Sequence, residues 1–274
     1  MPRLLTCSPL LALALAACGG GEAATPAPSN SDGPAPASSD ASGGGASTSA
    51  PSAVKDWDPA AGTVSVTGRA IFTGDSPKRR SLDMGSDPKC EGLHAERLLD
   101  ESALVGVGGE LANVFVWVRK GLEGWKFATP TEAVQVNQEG CTYVPHVLGV
   151  RVGQPLEISN GDPVSHNVHG YSKKNPGFNQ TQAPGAAVLT KVFNRSEVLV
   201  PLKCDIHGWM STFVGVVENP FFAVSAVDGS FDLGQLPPGD YQIAARHEIF
   251  GLQKQDITIT AAGAQTIEFS FSEE

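Results

Sequence analysis

The chain has 274 residues, 41% hydrophobic and 18% charged, an ordinary globular mixture with room for one or two cores. Its formal net charge of −10 argues against nucleic acid as a partner, since phosphate neutralisation needs basic stripes and Lys78-Arg79-Arg80 is the one basic cluster.

The first eighteen residues carry Arg3 and an apolar run from Leu10 to Ala17, too short to cross a bilayer and patterned as an export signal. The tetrapeptide Leu15-Ala16-Ala17-Cys18 resembles a bacterial lipobox. That resemblance implies cleavage before Cys18 and acylation of its thiol and new amino group, which would anchor the chain firmly because several acyl chains hold where one does not. The alternative is an ordinary signal peptide with a small-residue cleavage site; Cys7 is removed under either. Residues 19–54 are Gly, Ala, Ser, Pro, Thr and Asp with almost nothing apolar larger than alanine, and are expected to form a disordered linker. Such a tether has a root-mean-square span of about 30 to 35 Å. The expected location is therefore outside the cytoplasm, lipid-anchored to a bacterial membrane and facing the periplasm or cell surface. Gly19 after Cys18 is compatible with the outer membrane.

Beyond Asp58, short apolar runs split by Gly, Pro, Asn and Asp replace any long helical period, so the fold class is all-β. Predicted strands are Val64 to Phe72, Asn113 to Arg119, Val147 to Val152, Pro155 to Ser159, Ala187 to Phe193 and Glu197 to Leu202. They continue as Thr212 to Val217, Phe222 to Val227, Ser230 to Leu233, Tyr241 to His247, Lys254 to Thr260 and Gln265 to Phe271. Asp228-Gly229 is a two-residue hairpin signal, and Pro237-Pro238-Gly239-Asp240 a preset turn. With the middle removed, the segments around Thr67 to Phe72, Asn113 to Val118, Ala226 to Phe231 and Leu236 to Tyr241 resemble a carboxypeptidase-regulatory-like domain, a small transthyretin-like β-sandwich. This implies an insertion: residues 59–130 and 219–274 form one discontinuous sandwich, and residues 131–218 a second one within it. Two sequential domains are the alternative.

Within the second unit, Cys204-Asp205-Ile206-His207-Gly208-Trp209-Met210 places a cysteine, a histidine and one of three methionines in seven residues. Thiolate and thioether are soft donors and imidazole is intermediate; two histidines, one cysteine and a weak methionine are the set used by blue copper centres. A second histidine is required, and Ser165-His166-Asn167-Val168-His169 supplies two. Side chains alternate along an extended segment, so 166 and 169 face opposite ways and are not expected to share a metal. The bland alternative is a buried cysteine acting as a small hydrophobe. Zinc fits poorly, as methionine is a weak zinc ligand and no Cys/His pairs accompany it. Attached c-type haem is excluded by the lack of Cys-x-x-Cys-His.

These motifs, preceded by the Gly149 to Ser159 strand pair, resemble a cupredoxin of the plastocyanin and amicyanin type across residues 131–218, with the short amicyanin-like spacing of the second loop. The resemblance implies a Greek-key β-sandwich in which His166, Cys204 and His207 are equatorial ligands and Met210 the axial ligand of one Cu(I)/Cu(II) ion. It implies that Asn167 ties the two ligand loops together near the thiolate, and that His169 is not a ligand.

With Cys204 so assigned, Cys90 and Cys141 remain, one in each proposed domain, as candidates for a disulfide in an exported chain. Such a bridge would contribute roughly 4 kcal/mol in the chain-entropy description; two unpaired thiols are the alternative. His146 is expected at the start of a strand, and His94 and His247 at surface or structural positions. Trp209 either shields the metal and offers a docking face or packs on its loop. No nucleophile-base pattern, phosphate loop or His-x-His repeat is present, so no catalytic residues are assigned and the chain is not expected to be an enzyme. The expected function is one-electron carriage between redox partner proteins, tethered to a membrane. The alternatives are copper storage or delivery, and a non-redox cell-surface binding module with a vestigial site.

Overall fold

A computed structural model of the chain describes residues 54–260 and 263–273, so the signal peptide, Cys18 and nearly all of the linker lie outside the described residues. The described residues are all-β, with one short helix, Pro88–Glu91, and a 3-10 turn, Pro59–Ala61. No helix among them is long and apolar enough to cross a membrane.

Four larger sheets account for the fold. A three-stranded sheet runs Ser230–Leu236, Val64–Phe72, Ala264–Phe271, and a four-stranded sheet runs Phe222–Val224, Phe115–Lys120, Gly239–His247, Gly251–Ile259. Their facing side chains form one core, including Val66, Val116, Leu236, Ile243 and Phe271. Val64–Phe72 shows why: Val64, Val66, Gly68, Ala70 and Phe72 alternate inward, and the residues between them are partly or fully exposed. The other two sheets come from the intervening chain. Five strands run Phe178–Gln182, His166–Gly170, Glu197–Lys203, Ser211–Val217, Val147–Arg151, the last pair parallel; four run Leu189–Val192, Pro155–Asn160, Val134–Glu139, Thr142–Val144. A second core, with Val136, Ile158, Val168, Leu202 and Val214, fills the space between them.

Asp228-Gly229 does turn the chain, with Gly229 at φ 74° and its N–H bonded to the Ala226 carbonyl at 2.8 Å. It does not make a hairpin, because Phe222–Val224 and Ser230–Leu236 diverge into different sheets.

A third cluster joins the two cores. Gly149 and Gly215 are register partners on neighbouring strands, and a Cβ on Gly215 would overlap the buried ring of Phe115, which reaches across from the other sandwich. Phe222 stacks beside Phe115 with ring centroids 5.7 Å apart, over Gly149. The glycines form a flat floor that lets two aromatic rings lie against sheet backbone.

Beside this floor, His146, immediately before Val147–Arg151, pairs with Glu248 of the other sandwich, both largely buried. Burial alone would lower the His146 pKa, but the hydrogen bond and charge of Glu248 raise it above its ordinary value. Its stabilisation is therefore full below the unfolded value of about 6.5 and is lost as pH rises through the elevated folded value. His247 behaves oppositely. It is fully buried, its Nδ1 already accepts from the N–H groups of Ile249 and Phe250, and burial together with the His146 charge lowers its pKa to about 4. Its stability contribution is lost as pH falls through that value. Glu248→Gln should lower stability by about 2 kcal/mol near pH 6, with the melting temperatures of the two proteins converging toward alkaline pH. An equal gap at every pH would show that His146 is not charged in the folded chain.

Candidate metal centre

Glu197–Lys203 ends at Cys204 and the chain returns as Ser211–Val217, with Lys203 opposite Ser211. The intervening loop is closed on itself: Cys204 N–H donates to the Met210 carbonyl at 3.2 Å, Met210 N–H to the His207 carbonyl at 2.9 Å, and His207 N–H to Cys204 Sγ at 3.4 Å. Cys204, His207 and Met210 are thereby buried together, while Asp205 and Ile206 stay exposed. His166 opens the adjacent strand, His166–Gly170, whose Gly170 and His169 face Leu202 and Lys203. Alternation sends His166 inward, fully buried, while His169 points out to Asp205 at 2.9 Å and stacks on Tyr171.

The structure brings His166, Cys204 and His207 together, with one donor atom from each inside 4.8 Å of the others. His166 Nδ1 and His207 Nδ1 lie 2.9 Å apart, and His207 Nδ1 is 3.8 Å from Cys204 Sγ. Met210, 1% exposed, belongs to the same buried cluster as Cys204, and no candidate donor exceeds 3% exposure. Water is therefore excluded from the donor set.

Both imidazoles are fixed from behind by carboxylates. His166 Nε2 lies 2.9 Å from Asp162 Oδ2, and His207 Nε2 lies 3.1 Å from Asp87 Oδ2. With each Nε2–H donated outward, a ring that gives up its inner proton to a cation turns its Nδ1 lone pair inward, so two Nδ1 atoms and one sulfur converge on a dry point. Such a set fits a soft or borderline cation, copper foremost given the thioether nearby. Burial would raise the Cys204 thiol, but hydrogen bonds from His166 and surrounding N–H groups hold it below its ordinary value, favouring the thiolate that binds metal. Burial pulls His166 down, yet Asp162 and the Cys204 sulfur raise it to about 9. Asp162 is itself held below the carboxylate range, since burial is outweighed by His166 and by the N–H groups of Cys141 and Gly140.

Asn167 links the two segments that carry the candidate donors. Its Oδ1 accepts from Asp205 N–H at 2.6 Å, Ile206 N–H at 3.3 Å and the Cys204 thiol at 3.4 Å, while its Nδ2 donates to Asn179 and Asp205. Trp209 packs against His207 with ring centroids 5.0 Å apart and donates its indole N–H to the Cys141 carbonyl at 2.9 Å. Cys141 is bonded to Cys90, whose Cα lies 5.6 Å away.

Two carboxylates that back the candidate donors escaped the sequence. Asp162 sits in Asn160-Gly161-Asp162-Pro163, which reads as a turn, and its spacing of four from His166 was the available signal. Asp87 lies 120 residues from His207 and carried no sequence signal.

No protein-family model matches the chain, and no curated protein does. Similar solved structures include a Cu-containing nitrite reductase from Thermus scotoductus SA-01, 21% identical over 34% of this chain, with a TM-score of 0.30. The match spans only 24% of the nitrite reductase chain. A Cu(I) amicyanin mutant is 20% identical over 31% of this chain and 81% of its own, with a TM-score of 0.28. A purple cupredoxin from Nitrosopumilus maritimus is 22% identical over 30% of this chain and 98% of its own, with a TM-score of 0.27.

Proposed function

We propose that the chain is a type 1 copper protein that carries one electron at a time between partner proteins, held at a bacterial membrane through acylated Cys18. The observation that carries this reading is the convergence of His166 Nδ1, His207 Nδ1 and Cys204 Sγ in a site with no donor above 3% exposure. His166, Cys204 and His207 would hold the ion, with Met210 as the weak fourth ligand; when bound, it supplies a Cu(II)/Cu(I) couple.

The surrounding residues do the rest. Asp162 and Asp87 keep both imidazoles in the tautomer that presents Nδ1, and Asn167 clamps the two ligand loops, so the donors move little between oxidation states. Little movement favours fast outer-sphere transfer and leaves no open coordination position for a substrate. Storage or delivery is less well supported, because a cargo site must open and this one is sealed by packed side chains.

The copper-loaded chain should accept and release one electron per copper over repeated cycles without losing the metal. Met210→Leu should shift the reduction potential while retaining copper. Release of copper on each reduction would replace electron carriage with delivery.

A further inference from the structure

Residues 82–98 leave the sandwich that contains Val64–Phe72 and lie across the metal centre of the other one. The excursion is closed at its base by the Ser81–Leu99 bridge and by Leu82 N–H to the Leu98 carbonyl at 2.9 Å. Leu82, Met84 and Leu98 pack on the core that contains Cys204 and Met210. At the tip, Asp87 uses both carboxylate oxygens, one accepting from Lys89 N–H at 2.9 Å and the other facing His207 Nε2 at 3.1 Å. Cys90 Sγ lies 3.8 Å from the same His207 nitrogen. His207 is 2% exposed because this segment covers its outer edge.

The disulfide is the hub of that cover. Cys90 sits on the helix following Asp87, which holds His207. Cys141 and Gly140 donate their N–H groups to Asp162 at 2.8 and 2.6 Å, and Asp162 holds His166. Cys141 also accepts from Trp209, and Gly140 from His94 of the covering segment at 2.8 Å. One covalent bond therefore joins the two backings of the two imidazoles. Without it, the tip is held over the centre by the hydrogen bonds of Asp87 and His94 alone, along with apolar packing nearer its base.

We propose that residues 82–98 are a lid latched by Cys90–Cys141, and that cleaving the bridge opens the His207 edge of the centre to external ligands. The proposal rests on the copper reading for its purpose but not for its geometry. Cleavage is a thiol–disulfide exchange with a dithiol reductant: two electrons and two protons leave the reductant, its own sulfurs join, and Cys90 and Cys141 each end as a thiol. Asp87 and Asp162 are positioning residues here, coupled through the bridge.

The test uses the metal-free chain and diethylpyrocarbonate, which acylates accessible imidazole, read at each histidine by peptide mass spectrometry. His169, whose side chain is 30% exposed, is the reactive reference, and fully buried His247 in the other sandwich reports unfolding. In the oxidised chain His207 should be protected. In Cys90→Ala/Cys141→Ala it should react about tenfold faster or more, with His247 still protected. Equal protection of His207 with and without the bridge overturns the latch. Should the double variant acylate His247, Asp87→Ala decides: His207 must stay largely protected with the bridge intact, and full exposure there would mean that Asp87, not the disulfide, holds the lid. On the copper-loaded chain, EDTA should extract Cu(II) from the double variant about tenfold faster or more. Failure to form a copper centre at all would count against the proposed function and leave the acylation result standing.

Discussion

Gly215→Ala should destabilise the folded chain by about 3 kcal/mol, at the upper end of overpacking costs. The reason is local and severe. A Cβ at this position would overlap three ring carbons of Phe115, which is fully buried and bounded on its other side by its own sandwich. Phe115 cannot swing away, since Phe222 stacks on it and Trp117 packs 5.7 Å off. The added methyl must therefore push the two sandwiches apart. The measurement is denaturant unfolding of the variant against wild type, with Phe115→Ala in the Gly215→Ala background as the partner test. If the overlap is the cause, Phe115→Ala should cost far less in that background than in wild type, where losing a buried phenylalanine costs about 3 to 5 kcal/mol. Additive costs would contradict it.

Asn167→Ala should cost about 2 to 3 kcal/mol, because it strips one acceptor from two loop N–H groups and from a buried thiol. The cost differs in kind from that at Gly215. Here the sheets stay packed and the Cys204 to Met210 loop loosens against His166. Alkylation of Cys204, the free cysteine among the described residues, should accelerate in this variant while the far-ultraviolet spectrum is unchanged. Unchanged reactivity would mean that the loop's own hydrogen bonds suffice to hold it.

Strands with inward apolar alternation were legible in the sequence: Val64 to Phe72 is predicted and observed over the same residues. The strands that escaped are the two-residue pair Lys55–Asp56 and Trp125–Lys126, together with Val134–Glu139, Thr142–Val144, His166–Gly170 and Phe178–Gln182. Val134–Glu139 and Phe178–Gln182 bury glutamines in place of apolar residues: Gln138 donates to Gln182 at 2.7 Å, and Gln182 to the Ile158 carbonyl at 3.0 Å. A polar pair hydrogen-bonded to each other inside a sandwich looks like two solvated residues until the partner is known. His247 was expected at a surface or structural position and is structural, held by two backbone N–H groups.

At the centre, alternation along one strand was enough to separate His166 from His169, because that rule is local. Neither carboxylate was visible for the opposite reason. Asp87 reaches His207 only because a long connection from the other sandwich folds back over the loop, and chain distance hides that contact. The same connection conceals the lid. Cys90 and Cys141 could be paired by elimination, yet nothing in their spacing of 51 residues indicated that the bridge would sit against a donor histidine.

Copper binding by Cys204, His166 and His207 through a thiolate is what the proposed electron-carrier function stands on. Its most direct measurement is the visible and paramagnetic resonance spectrum of the chain after one equivalent of Cu(II), compared with that of Cys204→Ser. An intense blue band and a narrow copper hyperfine splitting are expected in wild type, both absent from the variant. A colourless wild-type protein, or a band that survives loss of the Cys204 sulfur, would contradict it.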